Sequence, residues 1–402
     1  MKVKNVLPFL ISVMILTGAI IVKANSSVTE VDETPQTTPV VRMKAAQPEE
    51  MRGVWVTYMA LDVENEVNKE AAFDNKIDAI IKDMKAGGFN TMVIQVRPFC
   101  DAIYPSEFFP WSHIISGEQG KDPGFDPLQH IVDKCRENQL YIHAWVNPYR
   151  VSTGNTPSDL SEDNPIIKDK DLGVEINGKQ YLDPTLKTTQ KLIANGVREL
   201  AENYDIDGIQ FDDYFYPEDC GTFDRDVYAD YLKEGGDLTL EQFRMRNVSD
   251  MVKEAYQAAH EGNEAVQFGI SPQGNLGNNA GLFADVRTWC AEEGYLDYIC
   301  PQIYFSLDNP ALTFEDALQD WLKLKKHDGL KLYIGLAGYK AGTDADDGTW
   351  SDNEDILQTE VGILRQKKTD GFMLYSSDSF HDEDNQQEIG NLCRYLTTSA
   401  TQ

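Results

Sequence analysis

The stretch Leu192–Asp213, LIANGVRELAENYDIDGIQFDD, contains a complete structural unit. Leu192, Ile193, Val197, Leu200 and Tyr204 recur at helical spacing and place one apolar stripe on a helix. The polar turn Asp205-Ile206-Asp207 follows, and Gly208–Asp212 reads as a short strand with alternating faces. A helix that feeds directly into a strand is the repeating half of a parallel sheet. The same unit recurs on either side. β-Branched and aromatic runs stand at Arg52–Tyr58, Thr91–Arg97, Leu140–Asn147, Val266–Ser271, Tyr298–Tyr304, Leu332–Leu336 and Gly371–Tyr375, which with Gly208–Asp212 make eight predicted strands. Between the first two, Phe73, Ile77, Ile80, Ile81 and Met84 form another helical stripe. Eight strand–helix units match a (β/α)8 TIM barrel, which needs about 250 residues before loop insertions. The longest connections, 98–126 and 148–184, follow strands 2 and 3 and so belong to the face where such barrels carry their active sites. The competing doubly wound sheet requires a Gly-rich phosphate turn after the first strand, and this sequence has none.

The flanks of this pattern differ in character. Lys2 and Lys4 precede an apolar run from Val6 to Val22, and Val22-Lys23-Ala24 ends it with small residues, which predicts a secretory signal peptide over 1–24. The alternative is an uncleaved anchor through residues 6–22. In both cases the remainder is expected outside the cytoplasmic membrane, and the mature domain does not enter the bilayer unless that run is retained. Residues 25–48, with Thr34-Pro35-Gln36-Thr37-Thr38-Pro39, show no period and predict a flexible linker before a barrel domain over 49–399.

Composition narrows the partners. The 402 residues are 41% hydrophobic and 25% charged, as in ordinary globular proteins, but the net charge of −30 repels phosphate backbones, so no nucleic acid partner is expected. The six Cys stand singly, which gives neither a zinc motif nor a disulfide framework. His143 has no second His at ligand spacing, and the acidic run Asp344–Gly348 lacks the far Glu of a calcium loop. No metal or other cofactor is expected. There is also no GxSxG, nucleotide turn or activated-Cys signature.

The C-terminal ends of the predicted strands carry the chemistry. They bring Arg97 and Asp101, then His143, Trp145 and Asn147, then Asp212, Asp213 and Tyr214, followed by Ser271 and Gln273, Gln302 and Tyr304, Gly338 and Tyr339, and Ser376 to Asp378. Amides and carboxylates suit sugar hydroxyls, and aromatic faces suit the apolar side of a pyranose ring. Strand alternation puts Gly208, Gln210 and Asp212 on one face, so Asp212 points into the mouth. Two adjacent carboxylates in such a place raise the proton affinity of one of them, which provides a general acid. Asp212 and Asp213 are therefore the expected catalytic pair, with Asp212 as the charge and Asp213 as the acid. Asp101 and Asp378 are the next candidates for the acid. Arg97, Asp101, His143, Trp145, Asn147, Tyr214, Gln273, Gln302 and Tyr304 are expected to bind substrate.

Met51–Thr57 (MRGVWVT), Gln95–Pro98 (QVRP), Phe125–Leu128 (FDPL), His143–Arg150 (HAWVNPYR), Tyr181–Pro184 (YLDP), Asp207–Pro217 (DGIQFDDYFYP), Arg246–Val248 (RNV), Gly269–Pro272 (GISP) and Asp297–Tyr304 (DYICPQIY) follow one another along the chain. In these motifs the chain resembles the glycosyl hydrolase-like ten family of exported bacterial barrels. The resemblance implies a glycoside hydrolase-type barrel, and it implies a polysaccharide partner of the kind cut by similar enzymes that cleave peptidoglycan glycan strands freed of their stem peptides. A more distant likeness joins the fourth strand to the DxxDxDxE of chitinase-type barrels. Asp207 and Asp212 match two places, Gln210 replaces the middle Asp, and Tyr214 stands where the acid Glu belongs. That departure leaves the proton donor to Asp213 or to another strand. Two further functions fit the same residues: a non-catalytic glycan-binding barrel, and a hydrolase of another polysaccharide.

Overall fold

The computed structural model describes residues 47–217, 219–351 and 353–399. Residues 1–46, with the predicted signal peptide and most of the linker, lie outside the described residues. In chain order the strands are β1 (Met51–Val56), β2 (Thr91–Arg97), β3 (Tyr141–Val146), β4 (Gly173–Ile176), β5 (Lys179–Leu182), β6 (Gly208–Phe211), β7 (Gln267–Ile270), β8 (Tyr298–Ile299), β9 (Lys331–Ala337) and β10 (Gly371–Tyr375). Eight of them close a parallel barrel in the order β1-β10-β9-β8-β7-β6-β3-β2, while β4 and β5 form a separate antiparallel hairpin. Each barrel strand is followed by at least one helix, from Lys69–Ala86 after β1 to Gln386–Ser399 after β10. The TIM barrel expected from the sequence is the observed fold.

Burial separates two layers of core. Outward-facing strand residues such as Val54, Ile94, Ala144 and Ile209 pack under helices whose stripes include Phe73, Ile77, Ile81 and Met84, or Ile193, Val197 and Leu200. Inside the barrel a second cluster joins Met51, Trp55, Val93, Trp145, Tyr298, Tyr333 and Met373. Several buried polar groups in this interior bond to one another. Gln210 accepts a hydrogen bond from Trp55 Nε1 at 2.6 Å and donates to the Tyr298 hydroxyl at 3.2 Å. Gly208 makes room for His143, whose ring would lie 2.5 Å from any Cβ added there.

Two elements depart from the sequence expectation. The predicted strand Tyr298–Tyr304 pairs continuously only over Tyr298–Ile299, because Pro301 has no N–H to offer the ladder. Its carbonyl still accepts from Gly335 N at 2.9 Å, and pairing resumes at Gln302 through single bridges to Gln273 and Gly335. The hairpin β4–β5 arises in the long connection after β3, where Asn177 and Gly178 both take positive φ (53° and 73°). Two such residues in succession are what a tight two-residue hairpin turn demands.

Candidate active site

β6 ends at Phe211, and the next two residues open the mouth of the barrel. Asp212 is buried, with 3% of its surface exposed. Its Oδ2 accepts from Trp145 Nε1 at 3.3 Å and from Asn147 Nδ2, and its Oδ1 accepts from the Tyr214 backbone N–H at 3.3 Å. Asn147 is itself held by β2 and by the loop after β3. Its Oδ1 accepts from Gln95 Nε2 at 2.6 Å and from Arg150 Nη2 at 3.0 Å, which turns its NH2 toward Asp212. Burial pushes the Asp212 carboxyl up to about 7, and the neighbouring charge of Asp213 adds to this, against the opposing influence of Arg150 and the N–H donors of Tyr214 and Trp145.

Asp213 is oriented by two amides arriving from β7 and β8. Gln302 Nε2 donates to its Oδ1 at 3.1 Å and Gln273 Nε2 donates to its Oδ2. Gln302 Nε2 also reaches the Ser271 carbonyl at 3.0 Å, so the isolated pairing beyond Pro301 is what delivers this amide. Both aspartates line a cavity of about 420 Å³ with Trp55, Trp145, Tyr304 and Tyr375. Tyr304 lies 5.9 Å from Tyr375 between ring centroids, and Tyr375 lies 6.0 Å from Trp55, so the rings form a continuous aromatic wall.

Of the residues expected at the site, Asp212, Asp213, Trp145, Tyr214, Gln273, Gln302 and Tyr304 line this one cavity, and Asn147 stands directly behind Asp212. Three others are placed elsewhere. His143 shares the inward face with Trp145 and Asn147 but lies deeper in the barrel. It is fully buried, with Nδ1 3.0 Å from the Tyr298 hydroxyl, and burial lowers its pKa to about 3, so it is a neutral packing residue. Arg97 is turned outward by a register shift between Gln95 and Arg97. Its guanidinium lies 4.2 Å from the Phe109 ring centroid, in space that Gly196 leaves open. Asp101 is fully buried in the loop after β2, where it accepts from Phe99 N at 3.3 Å and Gln119 Nε2 at 3.2 Å. Neither Asp101 nor Asp378 reaches the cavity wall. Asp207 sits at the opposite end of β6, accepting from Arg136 Nη1 and Ile142 N, each at 2.8 Å.

The structure adds Tyr375, Lys340, Asn275 and Asn278 to the wall and Arg150 to its support. Tyr375 was recognisable as the last residue of a predicted strand. Asn275 caps the short 3-10 helix Leu276–Leu282 that contains Asn278, and Lys340 ends another, Gly338–Lys340, segments too short to show a period. Among the described residues no group of three or more His, Cys, Asp or Glu side chains is arranged to hold a metal ion.

Known proteins similar to this chain are glycosyl hydrolases by name. Glycosyl hydrolase YngK of Bacillus subtilis strain 168 is 34% identical over 345 residues, covering 80% of this chain and 67% of that protein. Glycosyl hydrolase DigH of Escherichia coli K12 is 30% identical over 338 residues, 76% of either chain. Among solved structures, the PgaB (BpsB) glycoside hydrolase domain from Bordetella bronchiseptica superposes with a TM-score of 0.58 at 13% identity, covering 84% of this chain and 97% of that one. The catalytic domain of β-amylase from Paenibacillus polymyxa gives 0.57 at 12% identity, covering 88% and 100%. At those identities the two structures speak for the fold alone. The family described as glycosyl hydrolase-like 10 matches residues 50–352, and with relatives of this identity and coverage the chain belongs to that family.

Proposed function

We propose that this protein is an exported glycoside hydrolase that cleaves N-acetylated, peptidoglycan-type glycan strands with Asp212 and Asp213. The observation that carries the reading is the buried aspartate pair, held by Asn147, Trp145, Gln273 and Gln302 at the foot of an aromatic-walled cavity. A binding module needs amides and rings, but it gains nothing from two adjacent carboxylates that resist burial. The choice of glycan rests on the family resemblance and on the predicted export.

The pair divides one proton and one charge. Asp212, pushed up to about 7 by burial and by the neighbouring charge of Asp213, retains a share of its proton near neutral pH, and Asp213 supplies the adjacent negative charge. This reverses the sharing expected from the sequence. The proton is available to the departing glycosidic oxygen, and the charge stabilises the oxocarbenium-like centre, directly or through the substrate's acetamido group.

Incubation of the protein with defined glycan strands tests the activity by the appearance of new reducing ends. Strands that bind and stay intact sink the hydrolase and favour the binding barrel; cleavage of an unrelated polysaccharide instead relocates the substrate. Export is tested by N-terminal sequencing, where a mature start near Asn25 is expected. A chain retaining Met1 in the cytoplasm overturns it.

A further inference from the structure

A second, smaller cavity of about 120 Å³ adjoins the mouth, and Tyr214 lines both. Its other walls are Arg150, Thr153, Lys179, Tyr181 and the Phe215–Pro217 segment. In a protein with 66 acidic and 36 basic residues, this cavity has two cations and, among the described residues, no acid in its lining. The cations come from different elements. Arg150 follows β3, whereas Lys179 opens β5 of the hairpin.

Among the described residues neither cation forms an ion pair. Arg150 donates from Nε to the Pro98 carbonyl at 2.8 Å and from Nη2 to Asn147, which leaves Nη1 without a protein partner among the described residues. The guanidinium is fixed by these bonds, with Cζ 4.8 Å from the Phe99 ring centroid and 5.8 Å from that of Tyr214. Lys179 is exposed, and among the described residues it makes no ion pair or hydrogen bond from Nζ. Lys340, the cation in the wall of the main cavity, is different, because its Nζ is bound to Asp346 at 3.0 Å. A fixed planar guanidinium and an exposed ammonium beside aromatic rings match a carboxylate carried on a sugar.

Building on the proposed hydrolase, we infer that this cavity is a subsite for a carboxylate-bearing sugar of the glycan, held by Arg150 and Lys179 next to the residue at Asp212 and Asp213. A neutral glycan makes no use of the two cations. Alternate sugars of a peptidoglycan strand freed of stem peptides carry a lactyl carboxylate, which has the required chemistry.

The test is calorimetric binding to the full chain carrying Asp212→Asn, with stem-free strands as one probe and the same strands methyl-esterified as the other. The free acid is expected to bind about tenfold more tightly than the ester. Lys179→Gln should reduce that ratio to about twofold, and Lys179→Glu should invert it, as the sign of the exposed charge changes. Equal affinities for acid and ester, or a ratio that both Lys179 variants leave intact, overturn the subsite. The outcome is independent of turnover. Discrimination by a protein that releases no reducing ends removes the hydrolase and keeps the subsite, whereas cleavage of acid and ester strands with equal kcat/KM does the reverse.

Discussion

At Asp212, burial and a neighbouring charge both oppose ionisation while the Arg150 charge and the N–H donors of Tyr214 and Trp145 favour it, and burial wins. If the proton so retained is the catalytic one, kcat/KM falls as pH rises through about 7. Asp212→Asn should lower the rate by roughly 10²–10⁴ on natural glycan, and far less on substrates with an activated leaving group that needs little protonation. Asp213→Asn should be equally slow on both, since it removes the charge and not the proton. The reverse pattern, with rescue confined to Asp213→Asn, restores the assignment expected from the sequence. The same carboxyl leaves a mark on stability. It is held more tightly protonated in the folded chain, about 7 against an ordinary 3.8, so its contribution is full below about pH 4 and is lost as pH rises through about 7. Thermal melts between pH 5 and pH 8 should therefore show a steeper loss of Tm in the natural protein than in Asp212→Asn, and parallel slopes would contradict the raised proton affinity. Alternation along Gly208, Gln210 and Asp212 made this pair legible in the sequence. Arg97 was misread for a physical reason: the register shift beside Gln95 reverses the face of a residue that plain alternation turns inward. His143 was placed on the correct face, but sequence carries no measure of depth along the barrel axis.

Among the elements, the strands of even hydrophobic character were readable almost to the residue, since Thr91–Arg97 and Gly371–Tyr375 were expected with the bounds they have. β8 was overextended because the run around Pro301 is apolar enough to resemble a strand, although its backbone cannot complete one. β4 and β5 went unnoticed because GVEI and KQYL are short and half-polar, yet Asn177-Gly178 between them is a strong local turn signal. β6 depends on a different constraint. Its first residue, Gly208, is in contact with the His143 ring of β3, so Gly208→Ala inserts a methyl group where the ring already stands. A loss of about 1–3 kcal/mol is expected, from overpacking in an interior with little freedom to move. Chemical denaturation should show it as a lower midpoint with unchanged slope; an unaltered midpoint would mean that the His143 ring yields without cost.

For the whole molecule, the closed order of the barrel joins the beginning of the fold to its end. β1 pairs with β10 along Met51–Trp55 and Gly371–Tyr375, and Met51 N bonds to the Asp370 carbonyl at 3.0 Å. The family match ends at residue 352, before β10 and before the helices Ile356–Lys367 and Gln386–Ser399. A chain ended there would keep Asp212, Asp213, Gln273 and Gln302 but would open the cylinder along its whole height. β1 and β9 would each present a row of unpaired N–H and C=O groups, and such edges recruit strands from other molecules. Size-exclusion chromatography of a chain stopped after residue 352 should show aggregates where the full chain elutes as a discrete species. The last fifty residues carry neither aspartate, only Tyr375 of the aromatic wall, and yet they are the seam that keeps each copy of this protein from becoming the template for the next.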